Sequence, residues 1–171
     1  MNPTQQARLF VFGQFSLLAL LLFWPNDHVG FGLLDFLFEF VGVLCFLGGG
    51  ILIYVALRRL FAKSLPKLSG NGKDKALKSL RIVWPKPSDD AKLVTDGVFR
   101  RMRHPVYTGL LLMGYGIGIA SGPVPQLFFA IALHVVLRYK AELEEKFLAE
   151  KFPEYPKYVG RTGRFFPKVE D

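Results

Sequence analysis

From Pro105 to Leu137 the chain carries no Asp, Glu, Lys or Arg, and the run is broken once, at Ser121-Gly122-Pro123-Val124-Pro125. Proline and glycine together mark a turn, so an uncharged run of this length reads as two helices rather than one. The pattern predicts a helical hairpin with arms from Tyr107 to Ala120 and from Gln126 to Leu137. Two further apolar runs precede it. Arg8 to Trp24 has no charge after Arg8, and Leu33 to Leu57 carries only Asp35 and Glu39, both near its start. A helix crosses a bilayer with about 20 apolar residues. The second run exceeds that length and the first approaches it, while each hairpin arm is short and would have to tilt or thin the bilayer.

Composition agrees: 51% of the 171 residues are hydrophobic and 15% aromatic, high for a domain that must stay soluble. The expected fold class is therefore an all-α integral membrane protein. It would have about four transmembrane or hairpin helices plus a C-terminal amphipathic cytoplasmic helix. A single domain is expected over 1–171, with two transmembrane helices in 1–60, a cytoplasmic connector in 61–104, the hairpin in 105–137, and a cytoplasmic helix and tail in 138–171. The first apolar run ends in Trp24-Pro25-Asn26-Asp27 without a small-residue cleavage pattern, and reads as an anchor rather than a removed leader.

The net charge is +8, and its distribution separates membrane from nucleic acid as partner. Of the 22 basic residues, one is Arg8, thirteen lie between Arg58 and Arg103, and eight lie between Arg138 and Lys168. Excess Lys and Arg marks cytoplasmic loops. Four apolar segments then leave both termini and the connector on the cytoplasmic side, as a multi-pass protein whose basic loops meet anionic headgroups. Cys45, the lone cysteine, lies inside an apolar run, so neither a disulfide framework nor a cysteine-based metal site is expected. Gly48-Gly49-Gly50 reads as a place where another helix approaches closely. His134 reads as an interhelical hydrogen-bonding residue, and Trp24 and Trp84 as anchors at the membrane–water interface. A short helix over Lys73 to Ile82 is possible within the connector.

Tyr139, Leu143, Phe147, Leu148 and Phe152 recur near helical spacing, so Arg138 to Phe152 predicts an amphipathic helix stopped by Pro153. Beyond it, Tyr155, Tyr158 and Phe165-Phe166-Pro167 read as an aromatic tail without regular structure. A tight hairpin brings its two ends together. His104 and Tyr107 at its start would then share one pocket with Arg138, Lys140, Glu144 and Glu145 after its end. Pro105 suits the first turn of a helix, and Gly109 permits close backbone approach. A carboxylate and a tyrosine face favour a cationic ligand, and a nearby Lys or Arg can orient an anionic group.

Two elements in order carry a resemblance. Leu93-Val94-Thr95-Asp96-Gly97-Val98-Phe99 is followed by Arg103-His104-Pro105-Val106-Tyr107-Thr108-Gly109. After the hairpin come Glu144-Glu145-Lys146-Phe147-Leu148, then Phe152-Pro153-Glu154-Tyr155, Tyr158 and Pro167. Over about the last eighty residues this resembles the isoprenylcysteine carboxyl methyltransferase and phospholipid methyltransferase superfamily of integral membrane enzymes. The resemblance implies S-adenosylmethionine as cofactor. It implies that Leu93, Val94, Phe99, Arg103, His104, Pro105, Val106, Tyr107, Gly109 and Glu144 form its site. An arginine four residues before the first glutamate contacts substrate in that superfamily. Lys140 stands there in this chain, with Arg138 two residues earlier, and these two with Glu145 are the candidate catalytic residues. Phe99 replaces a usual tyrosine, Ala91 stands where a histidine often precedes Leu-Val, and Pro153 replaces a glycine.

The expected activity is methyl transfer to a lipid-like or isoprenylcysteine-like acceptor at a carboxylate, thiol or amine. The partners are a lipophilic or prenylated acceptor and membrane lipid, without metal or nucleic acid. A carboxylate or thiolate needs no general base, whereas an amine must be neutral, with Glu145 or His104 to take its proton. Two alternatives stand beside this reading. One is an NADPH-dependent membrane reductase of the steroid 5α-reductase type, which shares an Arg-His-Pro-like element and a Phe-x-x-Tyr-Pro tail but usually has His-His-x-Trp-Tyr where this chain has Glu142 to Lys146. The other is a non-catalytic membrane protein that keeps the fold.

Overall fold

A computed structural model describes residues 3–25, 32–63, 84–87, 91–121 and 124–168. Among these residues five α-helices follow in order: α1 Pro3–Phe23, α2 Asp35–Lys63, α3 Pro105–Ser121, α4 Val124–Lys151 and α5 Tyr155–Arg161. Among the described residues there is no strand, only an isolated parallel bridge between Met102 and Gly163. The Lys73 to Ile82 segment and the Gly122-Pro123 turn lie outside the described residues.

Local chemistry accounts for the helix ends. Asp35 opens α2 and Lys63 closes it, each complementing the helix dipole at its own end. Pro105 begins α3, where its missing N–H costs nothing. Lys151 ends α4 two residues before Pro153, which cannot continue the ladder.

Two expectations change. The second hairpin arm and the amphipathic helix are one continuous 28-residue helix, α4. The switch from apolar to charged residues near Arg138 alters its surroundings but breaks no i to i−4 hydrogen bond. At 1.5 Å per residue α4 is about 42 Å long, more than the roughly 30 Å of a hydrocarbon core. The tail after Pro153 is also partly regular. Tyr155 to Arg161 forms α5, with Pro156 in its first turn, where proline starts a helix rather than ending one.

Helices α2 and α3 run antiparallel with backbones almost touching. A Cβ added at Gly42 would stand 2.5 Å from the Gly116 carbonyl oxygen, and one at Gly49 would stand 2.5 Å from the Gly109 carbonyl oxygen. Of the Gly48-Gly49-Gly50 run, only Gly49 makes this approach; Gly48 and Gly50 face open space. Where α1, α3 and α4 meet, Leu21, Leu111, Ala130, Leu133, Leu137 and Ala141 form the core, with Tyr107 and Phe165 at one end. As expected, His134 bonds across helices, its Nδ1 lying 3.0 Å from the Tyr115 hydroxyl.

α1 and α2 are both long and apolar enough to cross a membrane. Their outer faces leave large side chains bare, with Phe12 74% and Phe36 76% exposed. Contiguous exposed apolar surface of this kind fits lipid, not water. The fold is an all-α membrane fold.

Candidate active site

The start of α3 is fastened by the segment that follows α5. The Arg103 N–H donates to the Gly163 carbonyl at 2.9 Å, and the His104 N–H donates to the Arg164 carbonyl at 3.0 Å. The Thr108 hydroxyl donates to the Phe165 carbonyl at 2.7 Å. Residues 162–166 thus form a strap across the first turn of α3. Gly163 is needed there, because a Cβ would overlap the Phe166 carbonyl oxygen.

Below the strap, the adjacent carboxylates of α4 have different surroundings. Glu145 is the hub: its Oε1 accepts from Arg103 Nε at 2.8 Å and from His104 Nε2 at 3.1 Å. Its Oε2 accepts from Arg164 Nη2 at 2.8 Å. Since a carboxylate only accepts, His104 Nε2 carries a proton in this arrangement. Burial alone would raise the Glu145 carboxyl, but the hydrogen bonds from His104, Arg164 and Arg103 outweigh it and hold the group down at about 2. Arg103 is used up by this and by the carbonyls of Thr162 and Val159.

Glu144 is less committed. Its Oε2 accepts from the Tyr107 hydroxyl at 2.8 Å and lies 3.7 Å from His104 Nδ1. The His104 and Tyr107 rings stack at 5.2 Å and 6°. The Glu144 side chain is 25% exposed against 12% for Glu145, and it is Glu144 that faces a cavity.

Leu93, Val94, Phe99, Arg103, His104, Pro105, Val106, Tyr107 and Glu144 line that cavity together. Gly109 does not; it serves the α2–α3 contact. Glu145, Arg138 and Lys140 are not in the lining. Arg138 is exposed on the outer side of α4. Lys140 is buried, donates to Gln14 Oε1 at 2.6 Å, and sits 5.2 Å from the centre of the Tyr107 ring.

Several cavity residues were not among the site residues expected from the sequence. Trp84, read as an interface anchor, lines the cavity, as do Leu148, Phe152, Tyr155 and Tyr158. For Phe152, Tyr155 and Tyr158 the aromatic spacing after Glu144-Glu145 was the available signal. The Tyr158 hydroxyl donates to the Phe99 carbonyl at 2.6 Å and so holds the Gly97–Arg100 turn over the cavity. Burial pushes Tyr158 up to about 12, with Arg103 opposing, so it stays a donor. Lys63 of α2 holds the same turn from the other side, donating to Asp96 at 2.6 Å. This bond keeps the Asp96 carboxyl below its ordinary range. Among the described residues, no group of three or more His, Cys, Asp or Glu is placed to hold a metal ion.

The site thus sets a carboxylate among aromatic rings, beside the His104-Pro105-Val106-Tyr107 turn and at the edge of an apolar bundle. Residues 80–155 match the sequence model of the phospholipid methyltransferase family. The relatives below are similar to the chain over a stretch of comparable length. The chain is 39% identical over 82 residues to the cobalt-zinc-cadmium resistance protein CzcN of Cupriavidus metallidurans, covering 45% of this chain and 36% of that protein. It is 33% identical over 84 residues to a probable protein-S-isoprenylcysteine O-methyltransferase of Oryza sativa, covering 48% of this chain and 44% of the relative. It is also 37% identical over 83 residues to protein-S-isoprenylcysteine O-methyltransferase B of Arabidopsis thaliana, covering 46% of this chain and 41% of the relative. In each case the match spans less than half the length of the curated relative.

Proposed function

We propose that the chain is an S-adenosylmethionine-dependent methyltransferase of the membrane that acts on a lipid-like or isoprenylcysteine-like acceptor. The observation that carries this reading is Glu144, a half-committed carboxylate in a cavity walled by Phe99, Tyr107, Phe152 and Tyr155. A positive group gains there from Coulomb attraction and from ring faces. When bound, S-adenosylmethionine supplies a methyl group on a positively charged sulfur. Glu144 and the aromatic rings would hold that charge, and the Leu93-Val94 segment would lie against the rest of the cofactor.

The protein's own contribution is orientation. Fixing donor and acceptor in line can supply about 7–11 kcal/mol of barrier reduction. Glu145, saturated with donors and kept ionised, holds His104 and Arg103 in place. His104 stands beside Glu144 and is the group through which an amine acceptor would shed its proton; a carboxylate or thiolate acceptor needs none. The apolar faces of α1 and α2 would keep the acceptor's lipid tail in the bilayer, with both termini on the cytoplasmic side.

Calorimetric titration of the detergent-purified chain with S-adenosylhomocysteine, and separately with NADPH, tests the reading. Saturable binding of the homocysteine compound is expected. Tight NADPH binding without it would transfer the chain to the reductase class, and binding of neither would leave a protein that keeps the fold without the activity.

A further inference from the structure

The polar contact least explained by the site is the one between Gln14 and Lys140. It joins residues 126 positions apart, at 2.6 Å, and both are buried, at 5% and 1% exposure. Gln14 lies midway along the Gln5–Phe23 span of α1, a helix outside the segment that matches the superfamily. Lys140 belongs to that segment and its ammonium lies over the Tyr107 ring, 5.2 Å from the centroid. Stability does not require such a pair. Two apolar side chains of similar size would be at least as stable, and an ionisable residue at this depth is costly. The arrangement has an evident use, however. A cation on the ring face orients the ring and strengthens the phenol as a donor, and this phenol donates to Glu144.

We propose that Gln14 and Lys140 are a positioning pair, through which the N-terminal helix α1 fixes the Tyr107–Glu144 hydrogen bond of the cofactor site. This rests on the cofactor reading above. Lys140 touches no ligand in this scheme; it acts through Tyr107. The site is then not confined to the C-terminal half of the chain. Its affinity depends on a helix that contributes no residue to the cavity lining.

The test uses the full chain in detergent, comparing wild type, Gln14→Leu, Lys140→Met and the double variant. Thermal unfolding and S-adenosylhomocysteine affinity are measured for each. Either single change leaves a buried polar group unpaired and lowers Tm, whereas the double change removes both and restores it. The positioning role requires that the double variant, though as stable as wild type, binds about tenfold more weakly, equivalent to about 1.4 kcal/mol. Wild-type affinity in a double variant of wild-type stability overturns the proposal. Gln14→Glu provides a second comparison, because it keeps an acceptor for Lys140. It should bind within about twofold of wild type, and equal losses in Gln14→Glu and Gln14→Leu would also overturn the proposal. The outcomes separate cleanly: a wild type that binds no S-adenosylhomocysteine sinks both readings, while one whose binding falls in Glu144→Gln but not in the double variant sinks only this one.

Discussion

Tyr107 on α3 and Glu144 on α4 are 37 residues apart in sequence and joined by one hydrogen bond of 2.8 Å at the cavity wall. The neighbouring Glu145 faces the other way and is bound by Arg103, His104 and Arg164. One turn of helix therefore divides two tasks between adjacent carboxylates: Glu145 assembles the site and Glu144 presents charge to it.

Glu144→Gln should weaken S-adenosylhomocysteine binding tenfold or more, about 1.4 kcal/mol, with little change in Tm. Tyr107→Phe should cost less, about 0.5–1.5 kcal/mol, since one hydrogen bond is lost and the ring stays. Calorimetric titration reads both, and unchanged affinity in a folded Glu144→Gln would remove Glu144 from the site.

Glu145→Gln should act mainly on stability. Removing the charge leaves two guanidinium groups and His104 short of their shared acceptor, and breaking such a buried pair typically costs about 3–5 kcal/mol. The pH dependence follows from the depressed carboxyl at about 2. A group whose folded pKa lies below its unfolded value contributes fully above the unfolded value, about 4.3, and loses its contribution as pH falls towards the folded one. The Tm advantage of wild type over Glu145→Gln should therefore be constant above about pH 5, shrink below it, and vanish near pH 2. An advantage that persists at low pH would refute the ionised hub.

Gly49→Ala and Gly48→Ala form a matched pair on one helix. The first pushes a methyl into the Gly109 carbonyl, 2.5 Å away, while the second points into open space. Overpacking of this kind costs about 1–3 kcal/mol. Thermal unfolding in detergent should show a clear loss for Gly49→Ala and almost none for Gly48→Ala. Because α3 carries Tyr107 and follows directly on His104, Gly49→Ala should also weaken S-adenosylhomocysteine binding.

Gly163→Ala should lift the strap from the start of α3, since its Cβ has no room against the Phe166 carbonyl. Thr108→Val removes only the hydroxyl that donates to Phe165, and should cost about 1–3 kcal/mol for the carbonyl left unpaired. Amide hydrogen exchange at Arg103 and His104 distinguishes these variants from remote damage: both amides should lose protection while α2 keeps its own.

Much of this molecule was legible before its structure. Uncharged runs mark α1 to α3 and the first part of α4, because a helix that faces lipid announces itself by composition alone. That His104, Tyr107 and Glu144 would meet was legible from a helical hairpin that brings its two ends together. What escaped depends on distant partners or on backbone. The Gln14–Lys140 contact spans most of the chain and leaves no local trace, so Lys140 read as a cavity residue. The strap at 162–166 works through carbonyls, which no side-chain pattern reveals. Pro153 and Pro156 look alike in sequence, yet one follows a helix and the other begins one.

The strap also imposes an order of events on synthesis. Every helix that it fastens is made before it, so a nascent chain inserted as far as α5 would still have an unlatched α3. The start of α3 would be fixed only when residues 162–166 have left the ribosome and folded back onto Arg103, His104 and Thr108. A chain that stops short of residue 162 would then lack the latch, and the making of residues 162–166 would itself be the step that fastens the site.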